Sequence, residues 1–245
     1  MEIPSDDARA VALADAIQRG ESDALSALLR ETPGLAQARI FDKRGCSRSP
    51  LHVAADWPGH FPNGARSVRM LIAAGADPNA RVSNIDPKYT PETPLHWAAS
   101  SDDVAVLDAL LDGGADIEAD GAIFTNGTAM SDAVVFANWN AGRRLLERGA
   151  TTTIWQAAGL GLLDRVREYW AADPIPDART TTNALWHACS GAHLAVVQYL
   201  VGQSANINWI GYDERTPYDM ALERGDEPLS KWLRAKGAKR SDELK

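Results

Sequence analysis

The sequence predicts an all-α fold, a solenoid of about seven helix–turn–helix units joined by short finger connections, and three observations carry that expectation. A phrase recurs: Ser-Pro-Leu-His-Val-Ala-Ala from Ser49 to Ala55 returns as Thr-Pro-Leu-His-Trp-Ala-Ala from Thr93 to Ala99, with degraded copies further on. An ending recurs with it, paired aliphatics followed by Gly-Ala. It reads Leu71-Ile72 with Gly75-Ala76, Leu110-Leu111 with Gly114-Ala115, Leu145-Leu146 with Gly149-Ala150, and Trp232-Leu233 with Gly237-Ala238. The spacing is regular as well. Openings at Ser49, Thr93, Thr128, Thr152, Asn183 and Thr216 stand 44, 35, 24, 31 and 33 residues apart, a repeat near 33. Units of that size cannot bury an apolar face alone and must stack on their neighbours.

Taken in order, the units lie near 5–40, 49–82, 93–121, 128–151, 152–178, 183–211 and 216–240, one domain spanning 1–245. The first lacks the opening phrase but keeps Ala14-Asp15-Ala16, Gly20 and Leu28-Leu29. The sixth ends Tyr199-Leu200-Val201, then Ser204-Ala205-Asn206. In the complete units, Ser or Thr caps an inner helix by accepting an otherwise unpaired backbone N–H, and Pro sits where a first-turn N–H is dispensable. The paired alanines let inner and outer helices approach, and the trailing Gly ends the outer helix in a left-handed conformation. The core is expected at Leu28, Leu71, Leu110, Leu145, Val197, Leu200 and Leu233.

The Thr-Pro-Leu-His helix, second helix and Gly-Ala-Asp turn resemble the ankyrin repeat family, and the resemblance runs over nearly the whole chain. It implies a protein-binding module that presents a concave surface and loops to a partner.

Composition narrows the alternatives. The 245 residues are 45% hydrophobic with a net charge of −8, and no run of about 18 apolar residues is available to cross a membrane. The acidic start, Met1-Glu2-Ile3-Pro4, lacks the regions of a signal peptide, and Cys46 and Cys189 are too few for a disulfide framework. A cytoplasmic protein with no membrane partner is expected. Seven acids and no Lys or Arg fall between Asp102 and Asp120. Nucleic acid, which needs a basic stripe, is therefore disfavoured. The acids are read either as an inter-repeat ladder, with Asp108 and Asp112 facing Arg143, Arg144 and Arg148, or as a patch for a basic protein partner.

Departures from the repeat mark candidate sites. The turn after Ala55 is about five residues longer than its counterpart and contains Trp57, His60 and Phe61 between two prolines and two glycines. A second insertion, 81–92, contains Tyr89. With Asp102 and Asp103, these residues are the expected partner surface, on the concave side of units two to four.

In the inner helices the slot after His reads Val53, Trp97, Asp132, Gln156, His187 and Met220, and the His slot itself holds Trp155 and Trp186 in two units. Trp97, Trp139, Trp155 and Trp186 with Asp132, Gln156 and His187 form either a packed structural network or a small-molecule pocket. Packed helices lie roughly 8–10 Å apart, which places Asp132 and His187 too far apart for a catalytic dyad. No catalytic residue, cofactor or metal is expected. Two functions follow: a non-enzymatic interaction module of adaptor, inhibitor or immunity type, or a small-molecule binder or unusual enzyme using the tryptophan pocket.

Overall fold

The computed structural model describes residues 1–83 and 90–245 and resolves them into two compact units, Met1–Ala150 and Thr151–Lys245. The first unit opens with strand β1 (Glu2–Pro4) and holds four helix pairs: α1 (Ala8–Gln18) with α2 (Ser22–Glu31), α3 (Pro50–Ala55) with α4 (Gly64–Ala73), α5 (Pro94–Ser100) with α6 (Val104–Asp112), and α7 (Ala129–Val135) with α8 (Trp139–Glu147). Strands β2 (Arg39–Phe41) and β3 (Ser47–Arg48) form the first finger as an antiparallel hairpin, and β1 adds to β2 in parallel. The second unit holds three pairs: α9 (Ile154–Gly159) with α10 (Leu163–Ala171), α11 (Ala178–Ser190) with α12 (Leu194–Gly202), and α13 (Pro217–Glu223) with α14 (Glu227–Ala235).

The recurring opening is a reciprocal cap. Ser49 and Thr93 offer their hydroxyl oxygens to the third residue of α3 and α5, while His52 and His96 accept their backbone N–H groups at Nδ1, both at 3.2 Å. With Nδ1 accepting, each ring carries its proton on Nε2. That proton is donated to the carbonyl just before the next unit's cap, Glu92 O for His52 and Gly127 O for His96, both at 3.3 Å. One imidazole thus closes its own helix and ties it to the next repeat. Burial pushes both rings well below the usual histidine range, to about 3 for His52 and about 4 for His96, so both stay neutral.

The recurring ending is equally specific. In five units the residue after the turn donates its N–H to the carbonyl of the leucine five positions back: Ala76 to Leu71, Ala115 to Leu110, Ala150 to Leu145, Ala205 to Leu200 and Ala238 to Leu233. This six-to-one bond needs a left-handed residue before it. Gly75, Gly114, Gly149 and Gly237 have φ between 86° and 96°, and Ser204 accepts 66° in the sixth unit. All five leucines are fully buried, as is Val197. Leu28 is the exception to the expected core. It is half-buried on α2, a first-pair helix flanked by only one neighbouring outer helix, and Leu25 occupies the buried position instead.

One boundary moves. Thr153, not Thr152, caps α9, and Gln156 accepts the Thr153 N–H at 2.6 Å. The shortened connection after Ala150 starts this helix one residue late, so Gln156 does the capping work that His does elsewhere.

Candidate functional site

The long turn after α3 is a fixed platform. Asp103, 3% exposed, accepts the His60 N–H on one carboxylate oxygen at 2.6 Å and the Val106 N–H on the other at 3.0 Å. From the other side Asn63 donates to the Gly20 carbonyl at 2.9 Å. Gly59 lies so close to Ser101 that a Cβ would meet its side chain at 2.8 Å. The turn is therefore wedged between the α1–α2 and α5–α6 turns, with Phe61 half-buried, His60 exposed and Trp57 80% exposed. The turn follows the C-terminus of α3, whereas the fingers precede the N-termini of inner helices. Trp57 therefore lies beyond the C-terminal end of α3, whereas the described ends of the second insertion, residues 81–83 and 90–92, lead into the N-terminal end of α5. Tyr89 lies outside the described residues.

Asp102 and Asp103, expected to face a partner, are caps. Asp103 caps α6, and Asp102 accepts the Ala141 N–H at 2.7 Å and the Asn140 side-chain amide at 2.8 Å, closing the start of α8. The rest of the acidic run is also engaged. Asp108 pairs with Arg144 and Arg148, Asp112 with Arg148, and Asp120 with Arg81, while Asp116 accepts the Glu118 N–H. Arg143 is exposed and stands outside this ladder.

An aromatic patch that the sequence reading missed lies at the fourth pair. Phe124, Ile123 and Phe136 are exposed at 68%, 47% and 45%, with the two phenyl centroids 5.9 Å apart. Beneath it Asp132, 1% exposed, takes the Ile123 N–H on its carboxyl group, and Oδ2 has no hydrogen-bond partner among the described residues. Burial, then the nearby Glu92 charge, pushes Asp132 up to about 8 against that N–H. Trp97 packs edge-on against His52, 5.0 Å between centroids, and donates its indole N–H to Glu92 at 3.1 Å. Trp139 opens α8 and is half-buried.

In the second unit Trp186 replaces the repeat's histidine and keeps half of its function. Its indole N–H reaches Arg215 O at 3.2 Å, again the carbonyl just before the next cap. His187 is 4% exposed between Trp155, at 4.6 Å, and Trp186, at 5.1 Å, and its Nδ1 has no partner among the described residues. Burial alone lowers it to about 3. Gln156, Asp132 and His187 thus each have a local environment of their own: a helix cap, a finger amide and an aromatic sandwich.

The open clefts on the surface are lined by His60, Phe61, Arg66 and Arg69 among others, by the α2 start with Asn63 and Arg66, and by a polar group around Asp213, Arg215, Asp219 and Arg240. No tryptophan lines these three. Among the described residues no group of three or more His, Cys, Asp or Glu is placed to hold a metal, and no helix is long and apolar enough to cross a membrane.

Comparison with known proteins agrees with the fold. Residues 46–82 and 90–119 match sequence profiles of the ankyrin repeat. "Protein fem-1 homolog A" of Rattus norvegicus and "Protein fem-1 homolog A-A" of Mus musculus are each 32% identical over 98 residues, 36% of this chain. The match spans only 14% of the length of those relatives. The crystal structure of the human ASB11 ankyrin repeat domain superposes with a TM-score of 0.52 at 17% identity, covering 91% of this chain and 96% of that one. At that identity the likeness is one of fold.

Proposed function

We propose, from the premise that this chain is an ankyrin repeat protein, that it acts as a non-enzymatic interaction module of adaptor, inhibitor or immunity type, whose partner docks on the turn that carries Trp57. The observation behind this reading is an indole 80% exposed on a backbone held from both sides. A large aromatic left in water is unfavourable unless something covers it, and a pinned backbone lowers the entropy lost when it is covered. The exposed Phe124–Phe136 pair supplies a second apolar anchor in the same unit. Trp and other aromatics typically dominate interface energetics. The local roles of Gln156 and Trp186 account for those two departures from the repeat without a ligand.

Affinity capture from the source cell with wild type, Trp57→Ala and Phe124→Ala, read by quantitative mass spectrometry, tests this. A protein retained by wild type and reduced at least about fivefold by Trp57→Ala, roughly the 1 kcal/mol of a modest interface anchor, supports the reading. Equal retention by Trp57→Ala overturns it.

A further inference from the structure

The same turn borders a cleft whose charge runs against that of the chain. Its lining includes His60 and Phe61 of the turn, Arg66 and Arg69 at exposed positions of α4, and Asn63 and Asp103. Three residues apart on a helix, Arg66 and Arg69 are side-by-side neighbours. Among the described residues neither guanidinium has an ion-pair or hydrogen-bond partner. The one carboxylate in the cleft, Asp103, directs both oxygens to backbone amides and pairs with neither arginine. Glu21 and Asp23 line a second cleft that also includes Arg66, and among the described residues neither pairs with it. Arg69 lines the first of these two clefts and not the second. In a protein of net charge −8, two unpaired arginines in a cleft bordered by the turn that carries the exposed Trp57 are the reverse of a basic-partner surface.

We infer that this cleft docks an acidic peptide segment of a protein partner, with carboxylates on Arg66 and Arg69 and an apolar side chain against Phe61 and Trp57. Arginine suits the task because its planar fork binds a carboxylate through two parallel hydrogen bonds. The inference rests on the reading of the Trp57 turn as the partner surface, and it fixes the sign of the partner's charge. The acids of 102–120 cannot recruit a basic partner in the same way, since hydrogen bonds and ion pairs within the chain already occupy most of them.

A random-peptide display library selected on the full chain tests it, with the enriched peptides then titrated by fluorescence anisotropy against wild type, Arg66→Gln/Arg69→Gln and Trp57→Ala. Thermal melts of all three establish that each is folded. The expected peptides carry several Asp or Glu around an aromatic or aliphatic residue and bind the arginine variant about tenfold or more weakly. Failure to enrich any peptide, enrichment of neutral or basic peptides, or equal binding by the arginine variant overturns the inference. Loss with Trp57→Ala alone keeps the docking turn and removes the acidic segment. Loss with the arginine variant alone supports the acidic segment and removes Trp57 as its anchor.

Discussion

Replacing His187 by Leu should make the protein resistant to acid. His187 is buried, stays neutral and has a pKa of about 3, against 6.5 when exposed. A folded pKa below the unfolded one means that the unfolded chain takes up the proton first, so stability is full above 6.5 and falls as pH drops toward 3. From these two values the loss is about 0.2 kcal/mol at pH 7, about 2 kcal/mol at pH 5 and about 3 kcal/mol at pH 4. Leucine cannot titrate. It also removes an unpaired buried nitrogen, worth about 1–3 kcal/mol, against the loss of aromatic contacts with Trp155 and Trp186 of about 0.5–1.5 kcal/mol each. At pH 7 the variant should therefore lie within about 1 kcal/mol of wild type, and at pH 5 it should gain about 2 kcal/mol relative to it. Urea denaturation at both pH values, followed by tryptophan fluorescence, measures the difference. A variant destabilised equally at pH 7 and pH 5 would refute the reasoning, because His187 would then be hydrogen-bonded or already solvated.

Two further perturbations probe the first unit. Asp132, held near 8 against 3.8 when exposed, has the opposite sign: the folded state binds the extra proton, so stability falls as pH rises from about 4 through 8. Asp132→Asn should gain on wild type over that window by several kcal/mol, and parallel urea curves at pH 5 and pH 8 would contradict this. Asp103→Ala removes the α6 cap and the His60 anchor together. It should cost about 1–2 kcal/mol in a denaturant melt and also weaken partner binding, and a loss of neither would show that the turn is held by other means.

Much of the architecture was legible because it repeats. The shared Gly-Ala ending located Leu71, Leu110, Leu145, Leu200 and Leu233, since one backbone bond places the same side chain inward in each unit. Terminal and shortened units broke the analogy: Leu28 gave way to Leu25, and the cap moved from Thr152 to Thr153 where the connection is truncated. Asp102 and Asp103 looked like surface charge in a linear count. Read three residues before Val106, Asp103 is a helix cap, a signal present in the sequence. Trp186 read either as a packing residue or as a pocket residue, and its indole N–H performs the histidine's inter-repeat bond. Phe124 and Phe136 were invisible for a different reason: they are twelve residues apart, and only the return of the finger onto α7 brings their rings together.

The most direct test of Trp57 as the docking anchor is ¹⁹F NMR of the chain labelled with 5-fluorotryptophan. The chain has eight tryptophans, and the Trp57 resonance is assigned as the one missing from Trp57→Phe. In the free protein that signal should show a large H₂O/D₂O solvent-isotope shift, as an exposed ring does, and should lose it when the captured partner is added. A Trp57 signal that keeps its solvent shift in the complex, while those of Trp97, Trp155 or Trp186 move instead, would contradict the account.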